Sequence, residues 1–185
     1  MATFYLIRHG EPDYKTISDA GFFGFGVNFA PLTEKGILQA ELTSMDERLL
    51  DAELIVCSPY TRALQTANII SSRINKKIVV EPLLHEWIND KTNTLSSDKE
   101  AKELFKEFLA CKGVYPEGKT PRWEDVASLS ARVKSVADKY ASCNKVIFVC
   151  HGMVSRVLAR SNGMSFAEII ECKYENGQAL PRFFD

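Results

Sequence analysis

No apolar run in this sequence approaches the roughly 18 residues that a membrane-spanning helix requires. Charge of either sign is not in excess, because 23 basic residues face 24 acidic ones for a formal net charge of -1. These two absences exclude insertion into a bilayer as a helix and attraction to nucleic acid through overall charge, so any anion site has to be local. Histidine is scarce, with three in the chain, and the five cysteines (Cys57, Cys111, Cys143, Cys150, Cys172) show no CxxC spacing. Neither a zinc site nor a disulfide framework fits that pattern, and no metal or other cofactor is expected. An apolar segment begins within three residues of Met1, which leaves no room for a signal peptide, so the expected location is cytoplasmic. Oligomeric state has no signature here.

What is present suits one compact domain over residues 1–185, with 45% hydrophobic and 25% charged residues. Phe4, Tyr5, Leu6 and Ile7 form a run of β-formers that delivers Arg8, His9, Gly10 and Glu11 at its end. Residues 12–30 hold Phe22, Phe23, Phe25 and Phe29 among glycines without a helical or strand period. They read as a long structured loop with at least two phenylalanines plugged onto the core. Thr33 is placed to cap a helix ending near Asp51, whose buried face would be Ile37, Leu38, Leu42, Met45 and Leu49.

A strand at residues 53–57 and a helix at 60–74, burying Ala63, Ala67, Ile70 and Ile74, come next. Pro82 stops a further strand at 77–81. Residues 83–122 are irregular apart from one helix at about 98–111, and read as a lid-like insertion over the sheet. The pattern then predicts a helix at 124–141, a strand at 145–150, and a helix from Gly152 to a left-handed cap near Asn162 and Gly163. A short helix from Ser165 to Cys172 and an edge strand from Gln178 to Phe183 complete it. Strands alternating with helices imply an α/β fold with a doubly wound, mostly parallel sheet.

Three of these strands end in polar residues: Arg8 to Gly10, Ser58 with Arg62 one turn on, and His151 with Gly152. In an open parallel sheet, ligands sit at the carboxyl ends of the strands. Two arginines and two histidines converging there suit a tetrahedral phosphate, since guanidinium forks match its oxygens and helix N-termini add partial positive charge. The same arginines would repel a metal ion. A neutral imidazole in such a pocket is a nucleophile towards phosphorus. Glu86, beside Trp87 just past a strand end, is placed to protonate a leaving alkoxide. The plainer readings are a core strand ending in a satisfied histidine, and a surface glutamate.

Arg8-His9-Gly10-Glu11, Pro31-Leu32-Thr33-Glu34-Lys35-Gly36 with Gln39-Ala40, Ser58 to Ala67, and His151-Gly152 resemble the successive signatures of the histidine phosphatase superfamily, also called phosphoglycerate-mutase-like. The resemblance covers nearly the whole chain in order. It implies that His9 is the phosphorylated nucleophile, that Arg8, Arg62, His151 and Gly152 hold the phosphoryl group, and that Glu86 donates the proton. It implies a phosphorylated small molecule or phosphopeptide as substrate.

The chain departs from the mutase pattern. Branches that bind bisphosphorylated glycerates carry an asparagine shortly after the first motif and extra arginines in the insertion; here the neighbourhood reads Pro12-Asp13-Tyr14-Lys15, and residues 83–121 contain no arginine. Phosphatase activity is therefore expected over mutase activity. The family's Glu-Gly pair is also missing after Glu86, which leaves Glu11 as a second candidate for the acid. Phe23, Phe25, Trp87 and Trp123 would give the substrate an apolar surface. Two other readings stand beside this one. One is a phosphate-binding module without turnover; the other is a cysteine-dependent phosphatase built on the Cys-x5-Arg spacing of Cys150 and Arg156.

Overall fold

A computed structural model describes residues 1–160 and 163–184. Its centre is a five-stranded sheet of β1 (Ala2–Arg8), β2 (Leu54–Cys57), β3 (Ile78–Val80), β4 (Lys145–Cys150) and β5 (Ile169–Tyr174), in the order β3-β2-β4-β1-β5. The first four strands are parallel and β5 runs antiparallel to β1. The register pairs Arg8 with Cys150 and Cys57 with Val149. The carboxyl ends of β1, β2 and β4 therefore lie side by side, and His9, Ser58 and His151 leave the sheet along one edge.

Side chains alternate across these strands, and so the sheet has two cores. Phe4, Leu6, Val56, Val146 and Phe148 face one, with Trp123 and helix α5 (Val126–Tyr140). Tyr5, Ile7, Ile55, Ile147 and Val149 face the other, against Ala63, Ala67 and Ile70 of α3 (Thr61–Ile74). Phe4 lies 4.7 Å from Phe148 and 5.2 Å from Tyr174 by ring centroid. Burial on both faces is why the strands read as continuous apolar runs. Truncating Phe148, fully buried at the centre, would cost about 3–5 kcal/mol.

The remaining helices are α1 (Tyr14–Asp19), α2 (Glu34–Ser44), α4 (Asp98–Ala110) and α6 (Gly152–Leu158). No helix of the described residues is long and apolar enough to cross a membrane. Side chains cap several starts as their sequence suggests: Thr33 accepts from the Gly36 N–H at 2.9 Å, and Asp125 from the Ser128 N–H at 2.8 Å.

Several expectations fail. Helix α2 ends at Ser44 and buries Gly36, Ala40 and Ser44, whereas Ile37, Leu38, Leu42 and Met45 are exposed; a separate 3-10 turn, Glu47–Leu49, buries Leu49. Small residues at four-residue spacing form the buried side of α2, and Gly36 lies so close to the Glu11 backbone that a Cβ would meet its carbonyl oxygen at 2.2 Å; that close packing outweighs the apolar period. Residues 12–30 contain α1 and a 3-10 helix, Gly24–Phe29, and all four phenylalanines are 40–59% exposed. Phe22 and Phe25 pack on Phe29, at 6.4 Å and 6.1 Å, and none of the four plugs the core.

Helix α6 stops at Leu158, well before Gly163; the cap expected at Asn162 lies outside the described residues. The helix expected from Ser165 is strand β5, and residues 178–183 form no strand. The outer edge of β1 needs a hydrogen-bonding partner, and Ile169, Ile170 and Tyr174 are strand formers that bury Tyr174 against Phe4.

Candidate active site

His9 follows β1 directly and is 3% exposed. Its backbone is tied to β4 through its N–H to the Cys150 carbonyl, at 3.1 Å. The next residue is clamped from both sides. The Gly10 N–H donates to Thr66 Oγ1 at 3.1 Å, and a Cβ on Gly10 would lie 2.3 Å from the Gly36 carbonyl oxygen. Only glycine allows that approach of the β1 exit to the start of α2. Gln39 and Gln65 complete the scaffold, accepting from the N–H groups of Glu11 at 2.8 Å and Leu32 at 2.7 Å. The motif residues outside the cleft thus hold the loop that carries His9.

Hydrogen bonds assign the imidazole tautomer. Nδ1–H donates to the Gly10 carbonyl at 2.7 Å, leaving the Nε2 lone pair to accept from Arg62 Nε–H at 3.2 Å. Burial first, then the Arg62 guanidinium, push the His9 imidazole down to about 3, so it is neutral across the physiological range. His151, at the N-terminus of α6, is fully buried with its ring 5.1 Å from that of His9. Its Nε2 bonds Ser58 Oγ at 2.7 Å, and burial with Arg62 holds it well below the ordinary histidine range. Tyr60 packs on His151 at 5.2 Å and on the Arg62 guanidinium at 5.0 Å.

The guanidinium of Arg8 lies 4.2 Å over the Phe166 ring and bonds the Met164 carbonyl. Among the described residues, four buried side-chain atoms have no protein partner: Trp123 Nε1 in the core, and Arg8 Nε, Arg62 Nη1 and His151 Nδ1 at the site. Buried donors are ordinarily satisfied, so three such atoms around one imidazole mark a place for an acceptor with several oxygens. No three His, Cys, Asp or Glu side chains among the described residues converge to hold a metal ion.

Glu86 lines a cavity of about 710 Å³ together with Arg62, Tyr60, His85 and Trp87. Its carboxylate accepts from the Trp87 N–H at 2.8 Å and the Met153 N–H at 3.4 Å. The residue is half-buried, with its carboxyl group surrounded by protein; burial raises its pKa against the opposing effect of these bonds. Glu11 lies elsewhere, its carboxylate on Lys35 Nζ at 2.8 Å and Thr33 Oγ1 at 3.2 Å. The Lys35 bond lowers its pKa, which is wrong for a proton donor at neutral pH.

Phe25 and Trp87 line the cavity, whereas Trp123 is fully buried in the core and cannot touch a substrate. The geometry is equally unkind to the cysteine reading. Cys150 is buried in the core with its thiol pushed up to about 12 by burial, and Arg156 stacks on Phe183 at 4.9 Å. Neither is presented to the cleft.

Arg132 and Glu124 gave no signal in the sequence. They form an ion pair of 2.6 and 2.8 Å, with side chains only 10% and 7% exposed. Arg132 also donates to the carbonyls of Leu83 at 2.6 Å, His85 at 2.8 Å and Glu86 at 3.3 Å. Glu124 in turn accepts the Trp87 indole N–H on its carbonyl at 2.7 Å. The pair therefore fastens the segment that carries Glu86 to α5.

Residues 4–179 match the histidine phosphatase superfamily, branch 1. An acid phosphatase of Mycobacterium tuberculosis is 31% identical over 93% of this chain and 86% of its own length. A probable phosphoglycerate mutase of Yersinia pestis is 29% identical over 83% of this chain and 71% of its own. Among solved structures, a mycobacterial glucosyl-3-phosphoglycerate phosphatase complexed with VO3 shares the fold, with a TM-score of 0.70, 20% identity and 92% of each chain covered. An open-reading-frame product of Mycobacterium tuberculosis gives 0.65, with 28% identity over 97% of this chain and 95% of that one. The sheet with its polar strand ends, the cleft and these relatives lead to one conclusion: the chain belongs to the histidine phosphatase superfamily and is a phosphatase of that type.

Proposed function

We propose that the protein hydrolyses phosphomonoesters without a metal, through a phosphohistidine at His9, with residues 1–185 acting as one catalytic unit and 83–122 as its lid. The observation that carries this reading is the His9 tautomer, fixed by Gly10 so that Nε2 keeps its lone pair, beside the unpartnered buried atoms of Arg62, Arg8 and His151. Arg62 caps that lone pair in the free protein. An arriving phosphoryl group takes over its donors and uncovers the nucleophile. Nε2 then attacks phosphorus, and the bond to the ester oxygen breaks. Glu86 delivers its proton to that oxygen. In the second step Glu86, now ionised, takes a proton from water, which attacks the phosphohistidine and releases inorganic phosphate.

Arg8, Arg62, the His151 Nδ1–H, with Ser58 O–H donating to its Nε2, and the Gly152 N–H at the start of α6 stabilise the charge that spreads over the equatorial oxygens. The substrate class is a phosphorylated small molecule or phosphopeptide. Mutase action, favoured by the relatives of that name, would require a grip on a second acidic group. Among the described residues that line the cleft, Lys91 is the one cation besides Arg62, and residues 83–121 contain no arginine.

Alkaline quenching during turnover of a 32P-labelled monoester should trap label on His9 as an acid-labile, base-stable adduct. His9→Ala should abolish both label and turnover, and Cys150→Ser should keep both. In the free protein the acid limb lies near pH 3, so the visible fall in kcat/KM is the alkaline one, as Glu86 loses its proton. Label on a thiol, or activity abolished by EDTA, would overturn the mechanism. Phosphate binding without any turnover would leave the silent binding module in its place.

A further inference from the structure

A second space lies beside the cleft that Glu86 lines. A cavity of about 750 Å³ adjoins the first, and the two share Tyr14, Gly24, Val27, Trp87 and Asn89. Beyond those shared residues the second cavity is lined by Phe23, Leu95, and Ala101 and Phe105 of α4. Each space is of a size that takes a small organic ligand.

Polarity changes along the path. The inner space carries Arg62, Glu86 and His85, and the outer one is mainly aliphatic and aromatic. Lys102 and Lys106 also line the outer space, with Asp98 to offset them, and lysine stems on a helix surface present methylene groups to such a cavity. The shared wall is held in place. The Trp87 indole N–H is bonded to the Glu124 carbonyl, and its ring packs 5.6 Å from Phe105 and 4.7 Å from Phe108. Gly24, with φ at 55°, brings the loop so close to Leu95 that a Cβ would lie 3.2 Å from the Leu95 Cβ. The loop 12–30 and the segment 83–122 thus build an aromatic trough leading away from the phosphoryl site.

We propose that this outer cavity is a subsite for the leaving group, and that the substrates are phosphomonoesters of long, uncharged, apolar or aromatic alcohols rather than small polyanionic sugar phosphates. The proposal rests on the phosphoryl site being at Arg62 and His9. With phosphate at Arg62, a single ring reaches the shared wall at Trp87, and a second ring or an alkyl chain enters the outer space. There it removes apolar surface from water, both its own and that of Phe23, Leu95 and Phe105.

The test compares phenyl, 1-naphthyl and biphenyl-4-yl phosphates, whose leaving phenols have similar acidity, so that differences report contacts and not intrinsic reactivity. We expect kcat/KM to rise about tenfold or more from phenyl to biphenyl-4-yl. Filling the outer space with Ala101→Trp should bring that ratio back towards one. A ratio near one in the intact protein, or a ratio that Ala101→Trp leaves unchanged, overturns the subsite. Should no ester be turned over, the hydrolytic reading fails separately, and calorimetry with phenyl- and biphenyl-4-yl-phosphonate decides the subsite. A Kd about tenfold lower for the longer phosphonate supports it, and equal values overturn it.

Discussion

Arg132 occupies an unremarked position in the middle of α5, yet it satisfies the carbonyls of Leu83, His85 and Glu86 and neutralises Glu124. A planar guanidinium with five donors meets all these acceptors at once, and a lysine ammonium cannot. Arg132→Lys keeps the charge beside Glu124 and loses the grip on the segment that carries Glu86. A small displacement of an acid affects reactions in proportion to how much they need its proton. We therefore expect Arg132→Lys to lower kcat about 10- to 100-fold on an alkyl phosphate and less than about threefold on p-nitrophenyl phosphate, whose phenolate leaves unaided. Steady-state kinetics on the two esters checks this, and an equal loss on both would reduce Arg132 to a purely structural part. His9, Arg62 and His151 were legible because each lies within five residues of a strand end that the apolar pattern marks. Arg132 was not, since nothing local to it records that the carbonyls it bonds are more than forty residues away.

Helix α2 shows how an element can be found and its face misassigned. Its apolar residues Ile37, Leu38, Leu42 and Met45 follow helical spacing, and all are exposed. The buried side of α2 instead carries Gly36 and Ala40, where small size and not hydrophobicity is the requirement. A Cβ on Gly36 would sit 2.2 Å from the Glu11 carbonyl oxygen. Leu38→Lys and Leu42→Lys should leave the unfolding free energy within about 0.5 kcal/mol of the parent. Ala40→Leu, forced into a fully buried position, should cost about 1–3 kcal/mol. Urea denaturation of the three variants distinguishes the faces; a large loss in the lysine variants would mean that the apolar stripe is covered in solution. Helix α3 was read correctly because its small buried residues Ala63 and Ala67 share one face with Ile70 and Ile74, so the apolar period marks the side that is buried. Strand β5 was missed for a different reason: its pairing is with β1, some 170 residues earlier, and only that edge makes the segment extended.

Across the whole molecule, the site is assembled from groups that the fold keeps neutral at a cost in stability. Two histidines are buried side by side without a carboxylate partner, with both imidazoles held below the ordinary histidine range by burial and by Arg62. Once unfolded, the same histidines titrate near 6.5. Between pH 6.5 and about 3 the unfolded chain therefore binds a proton that native His9 refuses, so stability rises with pH through that window and falls on acidification. At about 1.36 kcal/mol per pH unit, His9 alone should remove about 2 kcal/mol between pH 6.5 and pH 5. His9→Asn lacks the group and should lose correspondingly less over the same interval. Guanidinium unfolding of both proteins at pH 7 and pH 5 measures the difference. Parallel losses would mean that His9 protonates in the native state near its unperturbed value, and that burial beside Arg62 does not keep its lone pair available for phosphorus.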